Sequence, residues 1–257
     1  MILTSLSITA GGPLPPRPGA VPSRPAGRYG RVFSLVQCVA VLFIAASLLA
    51  VLMTSLASAQ TSPPAQAVGK PVKLVALGDS LSAGYNLPAS AAFPPVLEQA
   101  LRQRGVAVEI VNAGVSGDTT QGGLARLDWS VPDGTDGVIL ELGANDALRG
   151  VDPAIAEKNL DAIISRLKAR NIAVLLAGMY APRNLGEDYA RRFDGLYPKL
   201  AEKHGLVLYP FFLDGIAGDR SLNQPDLLHP TAEGVRVIVG KILPTVERFL
   251  ATLPPKG

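Results

Sequence analysis

The sequence predicts a three-layer α/β/α sandwich around a five-stranded parallel sheet. Three observations predict it. From Val72 onward, short apolar runs alternate with helical patterns. The runs are apolar almost throughout, as expected of strands covered on both faces. The composition is 48% hydrophobic but only 5% aromatic, which suits an aliphatic core of strands and helices. A chain of 257 residues holds one ample domain plus extra segments, and neither an internal repeat nor a second domain is visible.

The elements follow in order. "VKLVAL" (72–77) reads as the first strand, and "ASAAFPPVLEQALRQRG" (89–105) as a helix closed by Gly105. "VAVEIVNAG" is the second strand, "TTQGGLARLDW" a short helix, and "DGVILELG" (136–143) the third strand. In "DPAIAEKNLDAIISRLKARN", Asp152 caps a helix that opens on Pro153, with Ile155, Leu160, Ile163, Ile164 and Leu167 as its apolar face. "IAVLLAGM" (172–179) is the fourth strand, "EDYARRFDGLYPKLAEKHG" mostly helix despite Pro198, and "LVLYPFF" the fifth strand. "TAEGVRVIVGKILPTVERFLATL" closes the chain as a helix bent or broken at Pro244.

The formal charge of +3 invites a nucleic-acid reading, but its distribution argues against one. Residues 1–59 carry Arg17, Arg24, Arg28 and Arg31 and no acid, which leaves 20 basic against 21 acidic residues in the rest. Residues 1–31, rich in Pro, Gly and Arg, read as a disordered leader. Residues 32–59 form an uncharged apolar run ending in Ala57-Ser58-Ala59, the pattern of a cleaved export signal; its length also allows an uncleaved signal anchor. A polar linker (60–71) then leads to the domain at 72–250, expected to be periplasmic or secreted. The single cysteine, Cys38, lies inside the apolar run and follows Gln37, so it does not fit a lipoprotein signal. A mature domain without cysteine has no disulfide and no thiol nucleophile. With no His/Cys cluster either, neither metal nor cofactor is expected.

In a parallel sheet, ligands bind at the carboxyl ends of the strands. Four polar loops fall there. Ser80, in "LGDSLSAGY", sits where a nucleophile at a strand-to-helix turn would sit, although a serine after Gly-Asp is also an ordinary helix cap. Gly117, in "NAGVSGDTT" with Gly114, Ser116 and Thr119 nearby, is either an N–H donor to an oxyanion or part of a tight turn. Asn145, in "ELGAND", offers an amide donor or an Asx turn, and Asp146 beside it looks like a cap. In "QPDLLHP", Asp226 stands three residues before His229. A carboxylate there reaches the ring's Nδ1–H and frees Nε2 to take a serine proton; the plain alternative is a helix cap. His204, before Gly205, is explained by a helix C-terminus. Asp79 shapes the turn under Ser80.

Each feature has an ordinary explanation taken singly, but their order and their placement at strand ends do not. "GDSLS" (78–82), Gly117, "GAND" (143–146) and "DLLH" (226–229) resemble the blocks of the SGNH (GDSL-type) hydrolases. "SGDTTQGGLARL", "ELGANDALRG" and "YPKLA" are similar to the branch holding periplasmic acyl-CoA thioesterase/lysophospholipases and bacterial arylesterases. The resemblance covers roughly residues 72–250, with Ala144 where some relatives have glycine. It implies a flavodoxin-like sheet and a serine esterase acting on carboxylic esters or thioesters through Ser80, His229 and Asp226. The oxyanion donors would be Ser80, Gly117 and Asn145. By the same analogy Met179, Tyr180, Pro182 and Leu185 line an acyl pocket; an ordinary surface loop is the alternative. The expected partners are small esters, thioesters or lysolipids, with no nucleic acid and a membrane only through the N-terminal segment. Two other classes stay open: a carbohydrate acetyl esterase on the same fold, and a non-catalytic binding protein.

Overall fold

The computed structural model describes residues 70–254. The leader, signal and linker expectations for residues 1–69 lie outside the described residues. Five parallel strands form one sheet in the order β2-β1-β3-β4-β5: β1 (Val72–Gly78), β2 (Val108–Gly114), β3 (Gly137–Glu141), β4 (Ala173–Ala177) and β5 (Val207–Tyr209). This is the doubly wound order in which the chain switches direction between β1 and β3, opening a crevice at their carboxyl ends.

Residues Leu74–Leu77 of β1 and all five residues of β3 are buried on both faces, as their continuous apolar runs require. The edge strand β2 differs: Val108 and Ile110 are buried, while Glu109 and Val111 are exposed. The last strand is shorter than its apolar run because Pro210 has no N–H to continue the ladder.

The helices are α1 (Ser80–Ala83), α2 (Phe93–Gln103), α3 (Thr120–Ala125), α4 (Leu127–Ser130), α5 (Ala144–Leu148), α6 (Pro153–Ala169), α7 (Glu187–Asp194), α8 (Leu196–His204) and α9 (Ala232–Leu250). The pair α2 and α9 covers one face of the sheet; α3, α6 and α8 pack together on the other. The chain is therefore the three-layer sandwich that its alternating pattern predicts.

Four local expectations change. The helix expected from residue 89 begins at Phe93, because Pro94 and Pro95 suit only its first turn; a 3₁₀ turn, Ala89–Ala91, precedes it. Ile155 of α6 is exposed, and Ala156 and Asn159 take the buried positions beside Leu160, Ile163, Ile164 and Leu167. Ile155 stands five residues before Leu160, and that spacing leaves the buried stripe. The segment around Pro198 divides at Gly195 instead, so that Pro198 falls in the first turn of α8, where its missing N–H has no helical acceptor anyway. Finally, α9 runs unbroken through Pro244, which faces solvent while Ile242, Leu243, Thr245 and Val246 anchor both sides of it.

Candidate active site

The turn after β1 is built from carboxylates. Asp79, not Ser80, caps α1, accepting the Leu81 N–H at 2.9 Å. Ser80 is thereby the first helical residue, and its N–H, one of the orphan donors of a helix start, finds no acceptor among the described residues. Beneath it lies Glu141, the last residue of β3 and fully buried. Its Oε2 accepts the Ser82 hydroxyl at 2.8 Å and the Asp79 N–H at 3.4 Å. Burial pushes the Glu141 carboxyl well above the ordinary range, and the neighbouring Asp79 charge pushes it further. Burial also raises Asp79, to about 6, against the lowering effect of its hydrogen bonds from Leu81 and Asn145.

Asn145 lies in the first turn of α5, where the chain leaves β3 through Gly143. Gly143 has φ +122°, and a side chain there would overlap the Tyr197 hydroxyl. The Asn145 Nδ2 donates to Asp79 Oδ2 at 3.1 Å, which fixes the amide plane and leaves its second N–H for another acceptor. Asp146 is no simple Asx cap. It is buried and receives both the Thr120 N–H at 2.8 Å and the Thr120 hydroxyl at 2.7 Å, joining the loop after β3 to α3.

Gly117 sits in the loop after β2 with φ +84°, a conformation that suits glycine. Its carbonyl accepts from Arg149 Nη2 at 2.8 Å, and its N–H has no acceptor among the described residues. The loop leaves the sheet beside the Ser80 turn, since Val115 N–H donates to the Gly78 carbonyl at 3.1 Å. The link is reinforced by Arg126, which sequence reasoning passed over inside "GGLARL". Nearly buried, Arg126 donates to the carbonyls of Gly78 and Ala113, both at 2.8 Å, and to Asp118 at 2.5 Å. It gathers the ends of β1 and β2 and the Gly117 loop around one guanidinium. A lone arginine among small residues on a short helix was the available signal.

Asp226 and His229 meet Ser80 across the crevice. His229 Nε2 lies 2.9 Å from Ser80 Oγ, and Nδ1 lies 2.8 Å from Asp226 Oδ2. The other oxygen of Asp226 accepts the N–H groups of Leu228 at 2.9 Å and His229 at 3.0 Å. These bonds, the one from Leu228 foremost, hold the Asp226 carboxyl down at about 2. The loop that brings them together places Leu227 at φ +60°, which costs a non-glycine residue about 1–2 kcal/mol. His204 stands apart, at the end of α8, with Nε2 2.6 Å from Asp161 of α6.

The three chemical side chains open into a cavity of about 290 Å³, lined by Ser80, Asn145 and His229 together with Leu81, Ala144, Ala147, Leu148, Met179, Tyr180, Pro182, Leu213 and Leu228. Met179, Tyr180 and Pro182 are among the lining residues. Leu185 is not among the lining residues, because the 3₁₀ turn Arg183–Leu185 carries it onto the outer surface. Most of the apolar wall comes from positions that carry no motif. Neither Gly117 nor Asp226 is among the lining residues. Among the described residues, no three His, Cys, Asp or Glu side chains cluster as a metal site would require.

The GDSL-like Lipase/Acylhydrolase family model matches residues 76–237. An arylesterase of Vibrio mimicus is 43% identical over 162 residues, 63% of this chain and 81% of that protein. Thioesterase 1/protease 1/lysophospholipase L1 of Escherichia coli K12 is 40% identical over 161 residues, 62% of this chain and 76% of that protein. Among solved structures, AlinE4, described as an SGNH-hydrolase family esterase, is 48% identical, with a TM-score of 0.60 over 71% of this chain and 98% of that one.

Proposed function

Because the chain belongs to the GDSL-like lipase/acylhydrolase family and is a carboxylic ester hydrolase of the SGNH type, we propose that it works through Ser80, His229 and Asp226 by way of an acyl-enzyme. The observation that carries this reading is the continuous line from Asp226 through His229 to Ser80, 2.8 Å and 2.9 Å long. In the first step His229 Nε2 takes the Ser80 proton as Oγ attacks the carbonyl carbon. Asp226, ionised across the neutral range, accepts the Nδ1–H and stabilises the imidazolium. The negative oxygen of the tetrahedral intermediate is met by the N–H groups of Ser80 and Gly117 and by the free N–H of Asn145. None of these three N–H groups has an acceptor among the described residues. The imidazolium then protonates the leaving alcohol or thiol. Water, deprotonated by the same nitrogen, attacks the acyl-enzyme, releases the acid and restores Ser80.

The substrates are small esters or thioesters. The cavity is near the lower end of the usual range for small-molecule pockets, and its apolar wall favours an aliphatic or aryl acyl group of short to medium length. A sugar acetyl esterase would need polar side chains to hold hydroxyl groups, and the lining supplies few. The apolar run with its Ala57-Ser58-Ala59 site supports the reading that this domain is exported from the cytoplasm. No helix among the described residues is long and apolar enough to cross a membrane. The test is hydrolysis of p-nitrophenyl esters from acetate to palmitate. Activity should peak at one short or medium chain length and vanish in Ser80→Ala and His229→Ala. Activity that survives either substitution would reject the mechanism, and no activity at any length would reject the substrate class.

A further inference from the structure

Ser80 and His229 lie 149 residues apart, and the histidine's loop is exposed where the serine's turn is buried. A chain of three hydrogen bonds joins their backbones. The Tyr85 N–H donates to the Ser80 carbonyl at 3.1 Å; the Gln224 side-chain amide donates to the Tyr85 carbonyl at 2.8 Å; the Gln224 N–H donates to the His229 carbonyl at 2.7 Å. The same Gln224 amide also donates to the Pro230 carbonyl at 3.0 Å, and the Gln224 carbonyl accepts the Leu227 N–H at 2.8 Å. Gln224 thus closes the loop that carries Asp226 and His229 and ties it to the segment that carries Ser80. Tyr85 adds a second restraint: its ring lies 4.5 Å from the His229 ring, tilted by 38°.

We propose that Gln224 and Tyr85 are positioning residues that together hold the His229 imidazole on the Ser80 hydroxyl. This rests on the Ser80–His229–Asp226 assignment above. Neither residue is placed to exchange a proton with substrate. Gln224 acts through carbonyl groups, and Tyr85 through its backbone and its ring contact with His229. Leu227, held in the left-handed region against its preference, needs such a closure, because without it the loop would relax and swing the imidazole away.

The experiment measures kcat and KM of the full-length protein on a p-nitrophenyl ester. Each rate is divided by the number of sites that a chromogenic phosphonate titrates, so that misfolded protein does not count. Gln224→Ala and the near-isosteric Gln224→Glu, which cannot donate to the two carbonyls, should each lose about 10- to 100-fold in kcat per site with KM within about twofold. Tyr85→Phe, which keeps the ring, should stay within about twofold of the parent, and Tyr85→Leu should fall about tenfold. If Gln224→Ala fails to fold, Gln224→Glu carries the test. Unchanged kcat per site in the Gln224 variants, a loss confined to KM, or equal damage in Tyr85→Phe and Tyr85→Leu would overturn the proposal. Ser80→Ala and His229→Ala, run alongside, separate the two ideas. If they are inactive while the Gln224 variants are unimpaired, only the positioning role fails; if they remain active, the triad itself fails.

Discussion

The turn that carries Ser80 and the loop that carries His229 face each other across 2.9 Å but are built in opposite ways. The Ser80 turn is set in the interior. Asp79, Ser82 and Glu141 are all at 0% exposure, and Arg126 binds the ends of two strands behind it. The His229 loop stands at the surface, with Leu227 and Leu228 at 45% and 47% exposure, and is held by hydrogen bonds within itself and to one neighbouring segment. The difference teaches a division of labour. Interior polar groups fix the Ser80 turn at the expense of desolvation, so changes there should damage stability. Changes in the loop should damage rate and leave the fold standing.

The sharpest way to break that contrast is Arg126→Met. It removes the guanidinium from two strand-end carbonyls and leaves the Asp118 carboxylate without its ion pair. Arg126 is nearly buried but Asp118 only partly so, and denaturant unfolding should register a loss of about 2–4 kcal/mol, toward the lower side of what breaking a buried pair costs. A loss below about 1 kcal/mol, within the range of an exposed ion pair, would mean that the turn is not anchored from below.

Asn145→Ala lies between the two regions. It should lower kcat by about 10²–10³, the usual effect of removing one oxyanion donor, with KM little changed. A loss under about fivefold in steady-state kinetics, far short of that range, would remove Asn145 from the donor set.

A third effect separates the regions by pH. A carboxyl whose pKa is raised by folding costs the native state nothing below its unfolded value, here 4.5 for Glu141, and progressively more as pH climbs above it. Glu141→Gln removes that titration. The decline in unfolding free energy from about pH 5 to about pH 8 should be shallower in the variant than in the parent. Asp226 behaves oppositely. Its lowered pKa contributes stability above about 3.8 that disappears as pH falls toward about 2, so it should not shape activity or stability near neutrality. Equal slopes for Glu141→Gln and the parent would show that Glu141 is ionised in the folded protein.

The smallest effect belongs to the loop. Leu227→Gly relieves a left-handed leucine at the expense of unfolded-chain entropy, and the melting temperature should change by no more than a few degrees, consistent with about 1 kcal/mol or less. A large loss of stability would show that the loop supports the fold as well as the site.

The same contrast explains what was legible in the sequence. Periodicity and turn residues disclosed all five strands, because burial on both faces of β1 and β3 forces unbroken apolar runs. They misplaced Ile155 and missed the break at Gly195, where the outcome depends on which helix face meets which neighbour. The candidate site residues Ser80, Asn145, Asp226 and His229 were readable because acyl chemistry would require particular residue types at strand ends. Their supports were not. Arg126, Glu141, Gln224 and Tyr85 are ordinary residues whose importance comes from carbonyl groups and rings brought close only by folding. The cavity wall was half legible for the same reason: Leu148, Leu213 and Leu228 carry no signal except the contacts that the fold gives them.

Whether Ser80 is the nucleophile activated by His229 is decided by treating the full-length protein with a fluorophosphonate and mapping the adduct by peptide mass spectrometry. A single adduct on Ser80 is expected, formed in step with loss of esterase activity and strongly slowed in His229→Ala. An adduct on another residue, or complete inactivation with Ser80 unmodified, would contradict it.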